Sequence, residues 1–235
     1  ADLRDQPGTI AAASAADIET ALSNARPWSE DAALRASALN AAADLYEAHF
    51  GEIFALLARE AGKRFPPVGR EGYEAAVLGL WGMPHREEKY LAVNIARRRT
   101  SMHTTASLPL IERMIREGAW WDFVDEIASN VIGGMLKRQP ENMWPVLDRY
   151  IEDDDMWIRR TAILAQLKFK QETDFEKLAS YCEACMDEKE FFIRKAIGWS
   201  LREYAKREPG KVKAFVAKHE QRLSGLSKRE ALKNL

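Results

Sequence analysis

Apolar residues along most of this chain recur every three or four positions. In "ALRASALNAAADLYEAHFGEIFALLAREAGK", Leu39, Ala42, Ala43, Tyr46 and Phe50 fall on one face at 3.6 residues per turn. Ala, Leu and Glu dominate this stretch, and all three favour helix. Ser29, Glu30 and Asp31 supply a cap and first-turn acids, and Gly62 supplies a stop. Nearly everything else also reads as helix, so the expected fold class is all-α.

After residue 70 the pattern repeats. Ala92 in "KYLAVNIA", Ala128 in "DEIASNV", Ala162 in "IRRTAIL", Ala196 in "IRKAIGW" and Ala231 in "KREALKN" occupy similar contexts, separated by 36, 34, 34 and 35 residues. Each copy reads as a helix, a short break and a second helix, with "GMPHRE", "DDDM", "MDEKEF" and "LSGLSK" as breaks. A period of roughly 35–45 residues with two helices per unit marks a HEAT-like helical repeat solenoid. A small residue at one place in each unit lets neighbouring helices approach closely. Stacked units would then form a curved slab whose concave face suits an extended ligand.

Composition adds a boundary. The chain has 235 residues, 46% hydrophobic and 30% charged, which suits one large or two small globular units. Residues 1–64 hold six Lys/Arg against ten Asp/Glu, a net of −4, which leaves +3 for the remainder. An Ala-rich acidic head thus joins a Trp-rich, slightly basic body near "GKRFPPVGREG" (62–72). The expected division is a helical head over 1–64, packing as a cap, and repeats over 65–235. No run of about 18 apolar residues occurs, so no membrane span is expected. The opening "ADLRDQPGTIAAASAADIET" lacks a basic head before an apolar block and does not read as a signal peptide. A cytoplasmic monomer is expected. Cys182 and Cys185 form a lone CxxC, which reads as two helical cysteines in a reduced compartment. The four histidines, His49, His85, His103 and His219, are scattered without metal-site spacing, so no metal or cofactor is expected.

The candidate chemistry starts at "REGAWWDFVDEIAS" (116–129). Trp121 and Asp125 are four apart and share a helix face. Lys195, Trp199 and Arg202 stand at i, i+4 and i+7, with the indole between two cations. "MWIRRTAILAQLKFKQ" adds Arg159, Arg160, Lys168 and Lys170. If successive second helices line the concave face, these residues make a basic groove with two indoles and one carboxylate. Such a groove suits a nucleic-acid backbone. The carboxylate repels phosphate, so its use would be to stabilise a cation formed in a reaction. Cleavage of an N-glycosidic bond builds an oxocarbenium-like sugar, and indole faces also attract cations. Each feature also has a plainer reading. Tryptophans at a helix start pack, a Lys/Arg face is often only solvated, and Asp125 can cap or pair with a basic neighbour.

From about Tyr73 to Leu235 the chain resembles the DNA alkylation repair glycosylases of the AlkD type. The matching stretches are "LWGMPHREEKYLA", "GAWWDFVDEIA", "DDDMWIRRTAILAQLKFKQ", "KEFFIRKAIGWSLREYAK" and "LSKREALKN", in family order. The resemblance implies a HEAT-like fold that binds duplex DNA and excises cationic N3- and N7-alkylated purines without a cofactor. It implies that Trp121, Asp125 and Trp199 surround the lesion and that Arg160 contacts DNA. Lys168 and Arg202 are expected to contact DNA beside it.

Residues 9–63 resemble instead the N-terminal helices of a proline-utilisation-type aldehyde dehydrogenase, through "ADIETALSNA", "RASALNAAADLYEAHFGEIFALL" and "REAGK". No catalytic Cys or Gly-rich dinucleotide motif follows, so neither dehydrogenase activity nor a dinucleotide cofactor is implied. The combined reading is a chimera, engineered or naturally fused, joined between Gly62 and Tyr73. Its DNA binding and excision would be reduced or lost. The alternative is an engineered helical-repeat scaffold with no catalytic activity.

Overall fold

The computed structural model describes residues 14–25, 31–48 and 70–235. The described residues hold helices and no strand, so the protein is all-α. The chain divides into two compact units, Ala1–Pro67 and Val68–Leu235.

In the first unit, α1 (Ala15–Asn24) starts on Ser14, which forms a capping box with Asp17. Helix α2 (Ala32–Ala48) starts on Asp31, whose carboxylate accepts from the Leu34 amide at 2.8 Å. Of the expected Ser29–Glu30–Asp31 cap, this is the described part, and Phe50 and the Gly62 stop lie outside the described residues. Leu39 is exposed.

The second unit is a helical repeat. Its helices come in five successive pairs, and its core is one continuous cluster. The first pair is α3 (Arg70–Trp81) and α4 (Arg86–Arg98). The second is α5 (Leu108–Gly118) followed by α6 (Trp121–Glu126), which runs without a break through a wider π-helical turn (Ile127–Ile132) into α7 (Gly133–Arg138). Then come α8 (Pro140–Tyr150) with α9 (Met156–Leu164), α10 (Phe175–Cys185) with α11 (Phe191–Ala205), and α12 (Pro209–Lys218) with α13 (Gly225–Ala231). Starts are set by caps: Asp155 on α9, Asp174 on α10 and Ser224 on α13. The breaks expected from sequence fall between the two helices of a pair.

The five alanines of the repeat lie on the second helices, and each is at most 2% exposed. They let consecutive second helices pack side by side. Two glycines mark still closer approach. A Cβ on Gly133 would stand 2.4 Å from the Ala165 carbonyl oxygen, and one on Gly198 would stand 2.5 Å from Glu230 Cβ. Cys182 and Cys185 are buried, unbonded core residues, and burial pushes both thiols up, Cys182 to about 12.

Candidate active site

The "GAWWD" stretch folds as a sharp corner. Gly118 ends α5, and Ala119 follows in the left-handed region at φ 39°. That conformation costs an alanine about 1–2 kcal/mol. The next residue, Trp120, is extended at φ −152° and begins α6. The corner places two indoles outside the core, Trp120 at 44% exposure and Trp121 at 49%. Phe123 and Val124 of the same turn point inward and are buried. Trp120 is only partly free, because its ring meets Phe192 at 5.4 Å and Trp157 at 6.4 Å between centroids.

Asp122 and Asp125 leave this turn in different surroundings. Asp122 receives Arg86 at 2.6 Å and the Tyr90 hydroxyl. Burial pushes its carboxyl up, but Tyr90 and Arg86 outweigh it and hold the group below the ordinary carboxylate range. Asp125 is more enclosed, with a side chain 13% exposed. Arg160 of α9 grips it with two bonds, Nε to Oδ1 at 2.7 Å and a terminal nitrogen to Oδ2 at 2.8 Å. Burial is the larger influence here and raises the Asp125 carboxyl against the opposing pull of Arg160. Two carboxylates three residues apart are thus displaced in opposite directions, a pattern typical of acid–base or charge-stabilising sites.

The π-helical turn begins two residues after Asp125, and side chains explain it. The Ser129 hydroxyl donates to the Asp125 carbonyl at 2.8 Å, and the Asn130 amide donates to the Glu126 carbonyl at 3.1 Å. Both compete with the backbone for acceptors, which widens the winding. Asn130 also accepts from Lys168 Nζ at 2.7 Å, and Glu126 pairs with Arg97 at 3.1 Å.

Of the residues singled out from sequence, Asp125 and Arg160 are brought into contact. Arg160 is itself 3% exposed and also donates to the Phe192 carbonyl, so as placed it holds Asp125. The plainer expectation for Asp125, pairing with a basic neighbour, describes this geometry. Trp199 is half-buried on α11, two turns beyond Phe192 on the same face. Lys168 is exposed. Lys195 and Arg202 do not stand free beside Trp199. Both bind Glu230 of α13, Lys195 at 2.8 Å. Sequence reasoning missed Glu230, Glu126, Asn130 and Arg86. One signal could have found two of them, Arg86 and Glu230. Opposite charges one repeat apart recur, as in Asp125–Arg160 and Arg86–Asp122 at separations of 35 and 36 residues, and in Lys195–Glu230.

The family model described as DNA alkylation repair enzyme matches residues 29–235. The chain belongs to the DNA alkylation repair enzyme family. A solved structure described as a predicted DNA alkylation repair enzyme from Enterococcus faecalis is similar to it, with 28% identity and a TM-score of 0.65 over 70% of this chain and 76% of that one. No curated protein matches. The match corrects one expectation. It starts at residue 29 and spans the 62–73 segment, so most of the head falls within the DNA alkylation repair match. Neither the aldehyde dehydrogenase resemblance nor a chimeric junction is supported. Membership in a DNA repair family implies a DNA substrate. Among the described residues no helix is long and apolar enough to cross a membrane.

Proposed function

We propose that this protein is a DNA glycosylase that releases cationic N3- and N7-alkylated purines from duplex DNA. The observation that carries the reading is the Asp125 carboxylate, nearly enclosed, gripped twice by a buried arginine and set one helical turn from the half-exposed indole of Trp121. In the proposed reaction the bond from C1′ to the purine nitrogen breaks. Its electron pair leaves with the base and quenches the charge that alkylation placed there, so no general acid is required. The sugar becomes oxocarbenium-like, and the fixed negative charge of Asp125 stabilises it. Water then adds at C1′ and loses a proton. Trp121 and Trp199 flank the cationic centre with their ring faces. Lys168 and Arg202 contact phosphate, Arg202 after exchanging its partner Glu230. Arg160 acts through Asp125, as a positioning residue. The protein works as a monomer.

Release of 7-methylguanine from methylated duplex DNA, read by chromatography, tests the function. Asp125→Asn keeps the shape of the side chain and removes one negative charge. Single-turnover excision should fall by about 10²–10³-fold, with DNA binding equal or tighter. A rate within about threefold of the parent would remove the assigned role from Asp125. DNA binding without base release would make the protein a binding module.

A further inference from the structure

Among the described residues, four aromatic side chains are exposed: Tyr90, Trp120, Trp121 and Phe191. They lie around one place. Tyr90 donates to Asp122, the neighbour of Trp121. Trp120 and Phe191 meet the same ring, Phe192, edge-on at 5.4 Å and 5.3 Å between centroids. Phe191, the first residue of α11, is 58% exposed. The surface is also electrically balanced. Asp122 is matched by Arg86 and Asp125 by Arg160. The two guanidiniums lie over Phe123 and Phe192, at 4.6 Å and 5.8 Å. A balanced face of rings offers little to phosphate and much to a flat π-system.

We infer that Trp120 and Phe191 form a stacking surface for an unpaired nucleobase. The inference rests on the proposed action on duplex DNA, and that action explains why such a base would be present. Removing a purine leaves its former partner orphaned in the opposite strand, and an orphaned base is the cheapest one to displace from a duplex. An aromatic surface beside Asp125 would hold it and keep the opened site from collapsing. No side-chain hydrogen bonds to base edges are required, so the preference should be independent of sequence.

The probe is a duplex carrying a single bulged 2-aminopurine, compared with the same duplex in which that base is paired. The intact protein should bind the bulged duplex about tenfold more tightly, with 2-aminopurine fluorescence quenched as the base stacks. Phe191→Ala should bring the ratio of the two affinities to within about twofold, Phe191→Leu should do the same, and Phe191→Trp should keep it. Phe191→Leu guards against a folding defect, because it retains apolar bulk and lacks the ring. Lys168→Ala should weaken both complexes together and leave the ratio in place, because phosphate contacts are common to both duplexes. Equal affinities in the parent, a ratio that survives Phe191→Ala, or no binding to either duplex would each overturn the inference. Release of 7-methylguanine is scored separately. A bulge preference without release would end the proposed excision and leave the stacking surface standing, and release without a preference would do the reverse.

Discussion

A carboxylate meant to oppose a transient cation has to stay ionised where water is scarce. Asp125 meets this demand through Arg160, yet burial still raises its carboxyl above the ordinary range. Substituting Arg160 tests the balance. Arg160→Met removes the largest influence that lowers the Asp125 pKa, so the group should titrate higher still. In the proposed reaction the ionised form is the one that stabilises the sugar cation. The acid limb of single-turnover excision, corrected for uncatalysed depurination, should therefore move to higher pH. Stability should follow the same sign. A folded-state pKa above the unfolded value means the folded form holds the proton more tightly, so the contribution is present at low pH and lost as pH rises through the folded pKa. The loss of melting temperature in Arg160→Met should thus be larger at pH 8 than at pH 5. An equal loss at both would mean that Asp125 does not titrate in that window.

At the scale of the element, the second helices carry both packing and chemistry. Gly198 on α11 and Glu230 on α13 show the two demands side by side. Gly198→Ala would drive a methyl group against Glu230 Cβ and the Ser227 carbonyl. It should cost about 1–3 kcal/mol, seen as a drop of roughly 2–4 °C in melting temperature per kcal/mol for a chain of this size. Glu230→Gln leaves the approach intact and releases Lys195 and Arg202. Hydrogen bonding from Lys195, with help from Arg202, holds the Glu230 carboxyl low, so its pairing stabilises the fold above the unfolded carboxyl pKa and is lost in acid. At neutral pH the variant should melt earlier yet bind duplex DNA more tightly at low salt, with a salt slope steeper by up to about one unit per cation that reaches a phosphate. An unchanged slope with unchanged affinity would show that releasing the two cations from Glu230 adds nothing to DNA binding. These helices were legible in sequence because Ala92, Ala128, Ala162, Ala196 and Ala231 recur at near-constant spacing where the second helices bury them. The partners of the site were not. Asp125–Arg160 and Lys195–Glu230 form only after one pair of helices stacks on the next, and face-by-face reading follows neighbours within a single helix. The π-helical turn was equally hidden, because Ser129 and Asn130 look like ordinary polar helix residues until their side chains take backbone acceptors.

At the scale of the whole molecule, the head and the body invite one deletion. A repeat array with an open end exposes apolar surface, and a deletion asks whether the first 64 residues protect the body. Removing residues 1–62 should lower melting temperature or solubility, measured by thermal scanning and by recovery after centrifugation. A truncated chain that matches the parent in both would make the head a tether. Within the body, the ion pairs between second helices each reach only to the adjacent pair: Arg86 to Asp122, Asp125 to Arg160, Lys195 to Glu230. No bond among these ties the first pair to the last. The body is therefore built like a leaf spring. A small rotation at each interface adds up to a large change of curvature at the ends, and no single contact has to break. Such compliance would let the protein follow a duplex whose own curvature changes as a damaged base is lost.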